Sequence, residues 1–319
     1  MLSSEMIAGQ LNTKWAARMI VYKDVTGSTN NDARALSKEG AENGTLVVAD
    51  KQETGRGSNG RGWETPAGTN IAMSLVLRPG VGIERIPMLT LVMGLSVAEG
   101  IELALGESAS LNPDRQTKTA IEKSEPVAQD TCHADGIEKD EMSCRIKWPN
   151  DVVLGGRKVC GILTELHLKP EGEIDDAIIG VGINVNMVDF PDEIKEVAGS
   201  LLTQTGVRVD RSTLVARVME RFEENYEKFE STGDMSLLKE GYEARLVNKG
   251  QRVMILDTRK VAVVASREAV DEKFRQTKDV QCHCLGITEL GALLVRMDSG
   301  EIREINSGEV SVRGIYGYV

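Results

Sequence analysis

Four short segments concentrate residues able to handle a charged ligand of nucleotide size: Ser28-Thr29-Asn30, Gln52–Trp63 (QETGRGSNGRGW), Lys147–Glu165 (KWPNDVVLGGRKVCGILTE) and Gly180–Asn186 (GVGINVN). In Gly55-Arg56-Gly57 the glycines let backbone N–H groups approach an anion. Arg56 and Arg61 add permanently charged, forked donors that match phosphate and carboxylate. Trp63 offers a flat surface for an adenine or an apolar ligand. Lys158 begins a strand directly after a tight turn, so rigid backbone aims its ammonium. Each segment alone has a plainer explanation: a helix cap, a flexible turn, a β-turn, a strand ending in polar residues. No G-x-x-x-x-G-K-[ST] phosphate loop is present.

These segments need elements to position them. Residues 29–40 read as a short helix ending at Gly40, with Ser28 or Thr29 as its cap. Thr45–Asp50 and Asn70–Arg78 read as strands flanking a glycine-rich segment from Thr54 to Gly68. Glu84–Leu105 is apolar at mixed spacing of three and four, which fits a buried helix. Strands are expected at Cys144–Lys147 and Asp151–Leu154, then, after a Gly155-Gly156 hairpin turn, at Lys158–Leu168 and Ala177–Val185. Helices are expected over Asp210–Phe229 and Met235–Ala244. From Gly250 onward short β runs predict a small barrel of about 60–70 residues. Two polar insertions interrupt the pattern, at about 107–142 (acidic, without an aromatic residue) and 266–281.

In this order, the four segments resemble the biotin–protein ligase family. Its members carry an STN-type start, a Q-x-x-G-R-G-R-x-G-R-x-W loop, a K-W-P-N-D…K-x-x-G-I-L-x-E hairpin and a G-I-G-I-N-x-N strand. The tail from Gly286 to Gly314 resembles the family's SH3-like C-terminal domain. The resemblance implies an α+β fold. A mixed, largely antiparallel sheet flanked by helices (a class II synthetase-like catalytic domain, 1–246) would precede an SH3-like β-barrel (247–319). It implies ATP-dependent conversion of biotin to biotinyl-5′-AMP, then transfer of biotin to a lysine of a carrier protein. By position, Ser28, Thr29, Asn30 and Gln52 would line the biotin pocket and read its ureido ring, with Gly161 beside them. Arg56, Gly57 and Ser58 fall in the loop that closes over biotin and the adenylate. Lys158 would contact the biotin carboxylate and the α-phosphate, and Lys158 and Arg56 would be the catalytic pair. Arg61, Trp63, Asn150, Asp151 and Asn184 fall at positions associated with ATP, adenine or metal. Asp151 is the candidate for Mg²⁺, a hard ion that prefers carboxylate and phosphate oxygen. The family also admits a homodimer.

One position departs from the pattern: Ser58 stands where the loop usually has its second arginine. Either retention of the adenylate is looser, which bystander biotinylation would report, or Ser58 keeps the turn and a neighbour compensates.

Composition narrows the alternatives. A net charge of −11 disfavours nucleic-acid binding, which rests on neutralising phosphates. The five cysteines include no C-x-x-C pair, which argues for reduced thiols in the cytoplasm. The start of the chain lacks a signal-peptide pattern, and no stretch is expected to reach a membrane span of about 18 apolar residues. The 27 residues before Ser28 are expected to be too few for the winged helix-turn-helix of a bifunctional repressor. A lipoate–protein ligase shares the two-step logic, but lipoate lacks the ureido ring, and the Ser28–Asn30 and Gln52 set would leave buried polar groups unpaired around it. The Cys132-His133 and Cys282-His283-Cys284 clusters lack zinc-site spacing.

Overall fold

Side-chain alternation along the strands decides how the layers stack. The computed structural model describes residues 2–57, 62–111, 143–257, 280–306 and 310–314. In chain order these form α1 (Ser4–Ala8), β1 (Ile20–Thr26), α2 (Thr29–Lys38), β2 (Leu46–Arg56), β3 (Gly62–Thr65), β4 (Ile71–Leu77) and α3 (Ile86–Leu111). Then follow β5 (Arg145–Lys147), β6 (Asp151–Leu154), β7 (Arg157–Leu168), β8 (Ile174–Ile183), α4 (Leu201–Thr205), α5 (Arg211–Thr232) and α6 (Lys239–Arg245). The last part holds β9 (Arg252–Asp257), β10 (Val280–Ile287), β11 (Leu293–Met297), β12 (Ile302–Ile305) and β13 (Val310–Gly314).

The large sheet runs β1-β2-β4-β8-β7-β6-β5, with β3 paired to β2. Only β1 and β2 are parallel; the other pairs are antiparallel, giving the expected mixed sheet. One face carries Ile71, Met73 and Leu75 of β4 in register with Ile183, Val181 and Ile179 of β8, and belongs to the main core with α3 and α5. Thr90 of α3 meets Thr164 of β7 at 2.8 Å, which fixes that helix over this face. The other face carries Ala72, Ser74 and Val76 opposite Gly182, Gly180 and Ile178. Only part of it is covered: α2 packs Ala33 against Val47, Val76 and Ile178. Beyond the start of α2 that face stays open.

Several expectations are refined. The segment Thr54–Gly68 is no free loop at its ends, because β2 continues to Arg56 and pairs with β3. Residues 107–111 complete α3 rather than begin an insertion; 112–142, and with them Cys132-His133, lie outside the described residues. Of the second insertion, Val280 and Gln281 open β10, and the remainder lies outside the described residues. The expectation that no stretch reaches a membrane span needs correction. The helical stretch Ile83–Ser110 is long and apolar enough, with a window of mean hydropathy 1.7. However, 78% of that window is buried, because α3 is wedged between the sheet and α5 and so must be apolar all round. The hairpin at Gly155-Gly156 is as expected, with φ of +56° and +77°, values that glycine adopts without steric cost.

The C-terminal strands form a five-stranded antiparallel sheet, β12-β11-β10-β9-β13, as expected for the small all-β unit. It docks on the large unit through polar anchors. Trp148 donates its indole N–H to the Gly291 carbonyl at 3.0 Å, and the Ile287 amide donates to Glu243 of α6 at 2.9 Å. Trp148 is thus a packing residue between the two sheets. Cys282 and Cys284 are buried on β10, with burial pushing each thiol up to about 11. Among the described residues no cluster of metal-ligating side chains occurs.

Candidate active site

The open part of the sheet is floored by glycine. Gly161 on β7 stands beside Gly182 on β8, and Gly180 lies two residues along. A Cβ added at Gly180 would fall on Asn30 Oδ1, and one at Gly182 on the indole of Trp63. No other residue allows so close an approach. Over this floor lies a cleft open to solvent.

Most of the residues singled out in the sequence converge there. Ser28, Thr29, Asn30 and Gln52 line one end; Arg56, Gly57, Trp63, Asn150, Lys158 and Gly161 line the rest. Ser28 occupies the N-cap position of α2, but its side chain makes no capping bond. Gln52 does that work from β2: its Oε1 accepts the Thr29 amide at 2.9 Å and faces the Thr29 hydroxyl at 3.1 Å. Ser28 is thus the N-cap by position, as expected, while its hydroxyl is left at the cleft wall.

Lys158 is held by rigid backbone. Its amide donates to Val197 at 2.8 Å and its carbonyl accepts from Gly199 at 3.0 Å, while the same residue pairs with Val153 of β6. Its ammonium lies 2.6 Å from Asp151 Oδ1 and 5.6 Å from the centre of the Trp63 ring. The carboxylate holds the lysine tip at the cleft. The aromatic face adds a weaker cation–π attraction. Trp63 Nε1 is buried and has no hydrogen-bond partner among the described residues. Arg56 is half exposed; its Nη2 meets Asn31 Oδ1 at 2.8 Å and Glu165 Oε1 at 3.3 Å. Cys160, one strand position from Gly161, is inert, since burial pushes its thiol far up despite the nearby lysine.

Asn184 is not brought into the cleft. Its amide is consumed by Gly199 at 3.1 Å and Asn70 at 3.2 Å, a buried brace for the turn beneath Lys158. Asn150 lines the cleft while donating to Ile162 at 3.2 Å. Ser58 and Arg61 lie outside the described residues. Two residues without an assigned role in the sequence reading belong here. Ser74, fully buried, touches Thr29 Oγ1 at 2.8 Å and Asn30 Oδ1 at 2.6 Å. Glu165 accepts from Asn30 Nδ2 at 2.7 Å. Both left a signal. Ser74 is the sole polar residue in the apolar run IAMSLVL, and Glu165 shares the face of Gly161 by the two-residue period of a strand.

A mixed sheet carries a cationic, glycine-floored cleft at the start of a helix, and sequence comparison gives the class of protein that has it. The model of the biotin/lipoate A/B protein ligase family matches residues 22–184, just over half of the 319, and that of the biotin protein ligase C terminal domain matches 277–313. The chain belongs to the biotin/lipoate A/B protein ligase family. It is 36% identical over 245 residues to the bifunctional ligase/repressor BirA of Bacillus spizizenii, 76% of this chain and 64% of that one. It is 28% identical over 257 residues to the biotin–[acetyl-CoA-carboxylase] ligase of Mycobacterium tuberculosis, 80% and 81% of the two chains. The chain thus spans a little under two thirds of the bifunctional relative. The biotin protein ligase from Aquifex aeolicus, solved in complex with biotin and ATP, superposes with a TM-score of 0.65 at 28% identity, covering 93% of this chain and 99% of that one.

Proposed function

We propose that the cleft binds biotin and ATP, joins them as biotinyl-5′-AMP, and passes the biotinyl group to a lysine of a carrier protein. One observation carries this reading: the ammonium of Lys158 and the uncharged polar set Ser28, Thr29, Asn30 and Gln52 line a single cleft. The polar end suits a ureido ring, which needs donors and acceptors but little charge. The cationic end suits a carboxylate meeting an α-phosphate. An alkyl or dithiolane tail would leave the polar end unpaired, a defect that disfavours lipoate and octanoate.

In the first step a biotin carboxylate oxygen bonds to the α-phosphorus and the bond to the β-phosphate oxygen breaks, releasing pyrophosphate. Two anions must approach, so Lys158 and Arg56 act by offsetting charge on the carboxylate and on the phosphoryl oxygens. In the second step the carrier amine bonds to the activated carbonyl carbon; the carbonyl–oxygen bond to AMP breaks and the amine loses its proton. Arg56, Gly57 and Trp63 of the β2–β3 pair, which line the cleft, would limit access of water to the mixed anhydride. Mg²⁺ would be held by phosphate oxygens and one carboxylate rather than by a protein cage, the manner usual for nucleotide sites. Asp151 would be that carboxylate, and the ion would neutralise phosphate charge. Trp63, whose indole N–H lacks a partner among the described residues, is assigned to the adenine end. The catalytic unit would comprise residues 1–246 and the C-terminal unit 247–319. Free, buried cysteines agree with a cytoplasmic setting.

The test is incubation with biotin, ATP and Mg²⁺, with mass detection of biotinyl-AMP and of a biotinylated carrier lysine, and with lipoate and octanoate run in parallel. Adduct with biotin alone is the expected result. Adduct with lipoate or octanoate in its place would overturn the reading.

A further inference from the structure

At the polar end of the cleft four side chains run in line: Asn30 Oδ1, Ser74 Oγ, Thr29 Oγ1 and Gln52 Oε1, at successive separations of 2.6, 2.8 and 3.1 Å. Both terminal atoms are amide oxygens, which only accept. The two hydroxyls between them own one proton each. Three contacts are thus served by two protons, and the row is one donor short.

Turning either amide would supply the missing donor, and in each case a neighbour prevents it. Gln52 keeps its oxygen inward because the Thr29 backbone amide donates to it at 2.9 Å. Asn30 keeps its oxygen inward because its Nδ2 is claimed by Glu165 Oε2 at 2.7 Å. A carboxylate can accept from that nitrogen but offers nothing to an oxygen turned toward it. Ser74 is fully buried and Thr29 and Asn30 nearly so, which leaves the cleft as the way in to the row. The donor must come from the cleft side, where Thr29, Asn30 and Gln52 form the wall.

We propose that Glu165 is a positioning residue for specificity: by fixing the orientation of the Asn30 amide it keeps the pocket end short of one donor, so that the pocket selects a ligand with a ring N–H. The inference rests on the ligase reading, in which the ring is the ureido group. A cyclic urea supplies N–H donors; a dithiolane or alkyl end supplies none and leaves the shortfall buried. Glu165 itself does not touch the ligand.

The decisive variant is Glu165→Gln, which keeps size and can donate to an Asn30 oxygen, while giving up the ion pair to the half-exposed Arg56. Asn30 is then free to turn and fill the row from within. The expected result is a rise of about tenfold or more in KM for biotin, with kcat and KM for ATP within about threefold of wild type. The preference for biotin over octanoate should narrow in parallel. In Asn30→Asp/Glu165→Gln the carboxylate moves to position 30, accepts from Gln at 165 and from Ser74, and restores the shortfall, so KM for biotin should return toward wild type. A Glu165 that merely ties α2 to β7 would be replaced equally well by glutamine, and one that acts only through Arg56 would lower kcat and leave the double variant equally impaired. An unchanged KM for biotin in a folded Glu165→Gln protein would therefore overturn the proposal. Should that variant fail to fold, the double variant decides: KM near wild type supports the proposal and a tenfold rise overturns it. Wild-type protein that forms no biotinyl-AMP sinks the ligase reading itself, a result separate from either outcome.

Discussion

Lys158 gains its position from four sides: two backbone bonds to 197–199, the strand pairing with β6, the Asp151 carboxylate and the Trp63 face. A side chain so fixed can act on charge that develops in the transition state without first being ordered. Lys158→Ala should lower adenylation about 10²–10³-fold. Pyrophosphate release at close to the wild-type rate would exclude that role. Gly180 is the complementary case, where the absence of a side chain is what matters. Gly180→Ala would place a methyl group on Asn30 Oδ1, and neither the strand nor the fully engaged amide has room to yield. The expected loss in kcat/KM for biotin is about 10²-fold, the scale of a misplaced positioning group, with an unchanged far-UV spectrum. Wild-type kinetics in that variant would show that Asn30 can shift freely.

At the scale of elements, α2 and α5 depend on polar anchors as much as on apolar packing. Arg34 and Ser37 of α2 both bond to Asp176, which is fully buried on β8, and His167 of β7 meets the same carboxylate at 2.7 Å. This ties the helix that carries Thr29 and Asn30 to the strands that carry Glu165 and Gly180. On the other side of the sheet, the Glu223 carboxylate of α5 accepts the backbone amides of Lys14, Trp15 and Ala16 at 2.8–3.0 Å. It fixes the chain before β1 and seats Trp15 edge-on against Phe222 and Tyr226. Glu223→Ala would strand the buried Ala16 amide and loosen those of Lys14 and Trp15, and should cost about 1–3 kcal/mol, the scale of one buried donor left unpaired. Urea denaturation would read this as a lower midpoint; an unmoved midpoint would mean that water takes over the three amides.

For the whole molecule, the join between the two sheets is electrostatic as well as apolar. Burial works to raise the carboxyl of Glu243. The Lys249 ammonium at 2.7 Å and the Ile287 amide at 2.9 Å together outweigh it, and the net shift is downward from the ordinary 4.5. A carboxyl lowered in the folded state stabilises it fully above its unfolded value and ceases to do so as pH falls through the folded one. Acidification below pH 4.5 should therefore loosen the C-terminal sheet, and Glu243→Gln should flatten that limb of the stability profile. Hydrogen exchange at the Ile287 amide is the measurement. Equal pH dependence in wild type and variant would remove Glu243 from the account.

Much of this protein is local in origin and legible residue by residue. The hairpin at Gly155-Gly156, the alternation of β4 and β8, the helix after Ser28 and the aimed lysine follow from φ preferences and periodicities that each segment carries alone. The family pattern in the four segments likewise needs no coordinates. What required the tertiary structure is every decision made between segments distant in sequence. Asn184 and Asn30 are both asparagines at motif positions, yet one braces a turn and the other walls the cleft, because their amides meet different partners. The strand ends of Thr54–Gly68 form only by pairing across the hairpin, and the burial of α3 depends on the sheet and on α5, which begins about a hundred residues after it. The donor shortfall next to Glu165 joins α2, β2, β4 and β7, and the direction of a hydrogen bond depends on which atoms face each other after folding, a property that no single segment possesses.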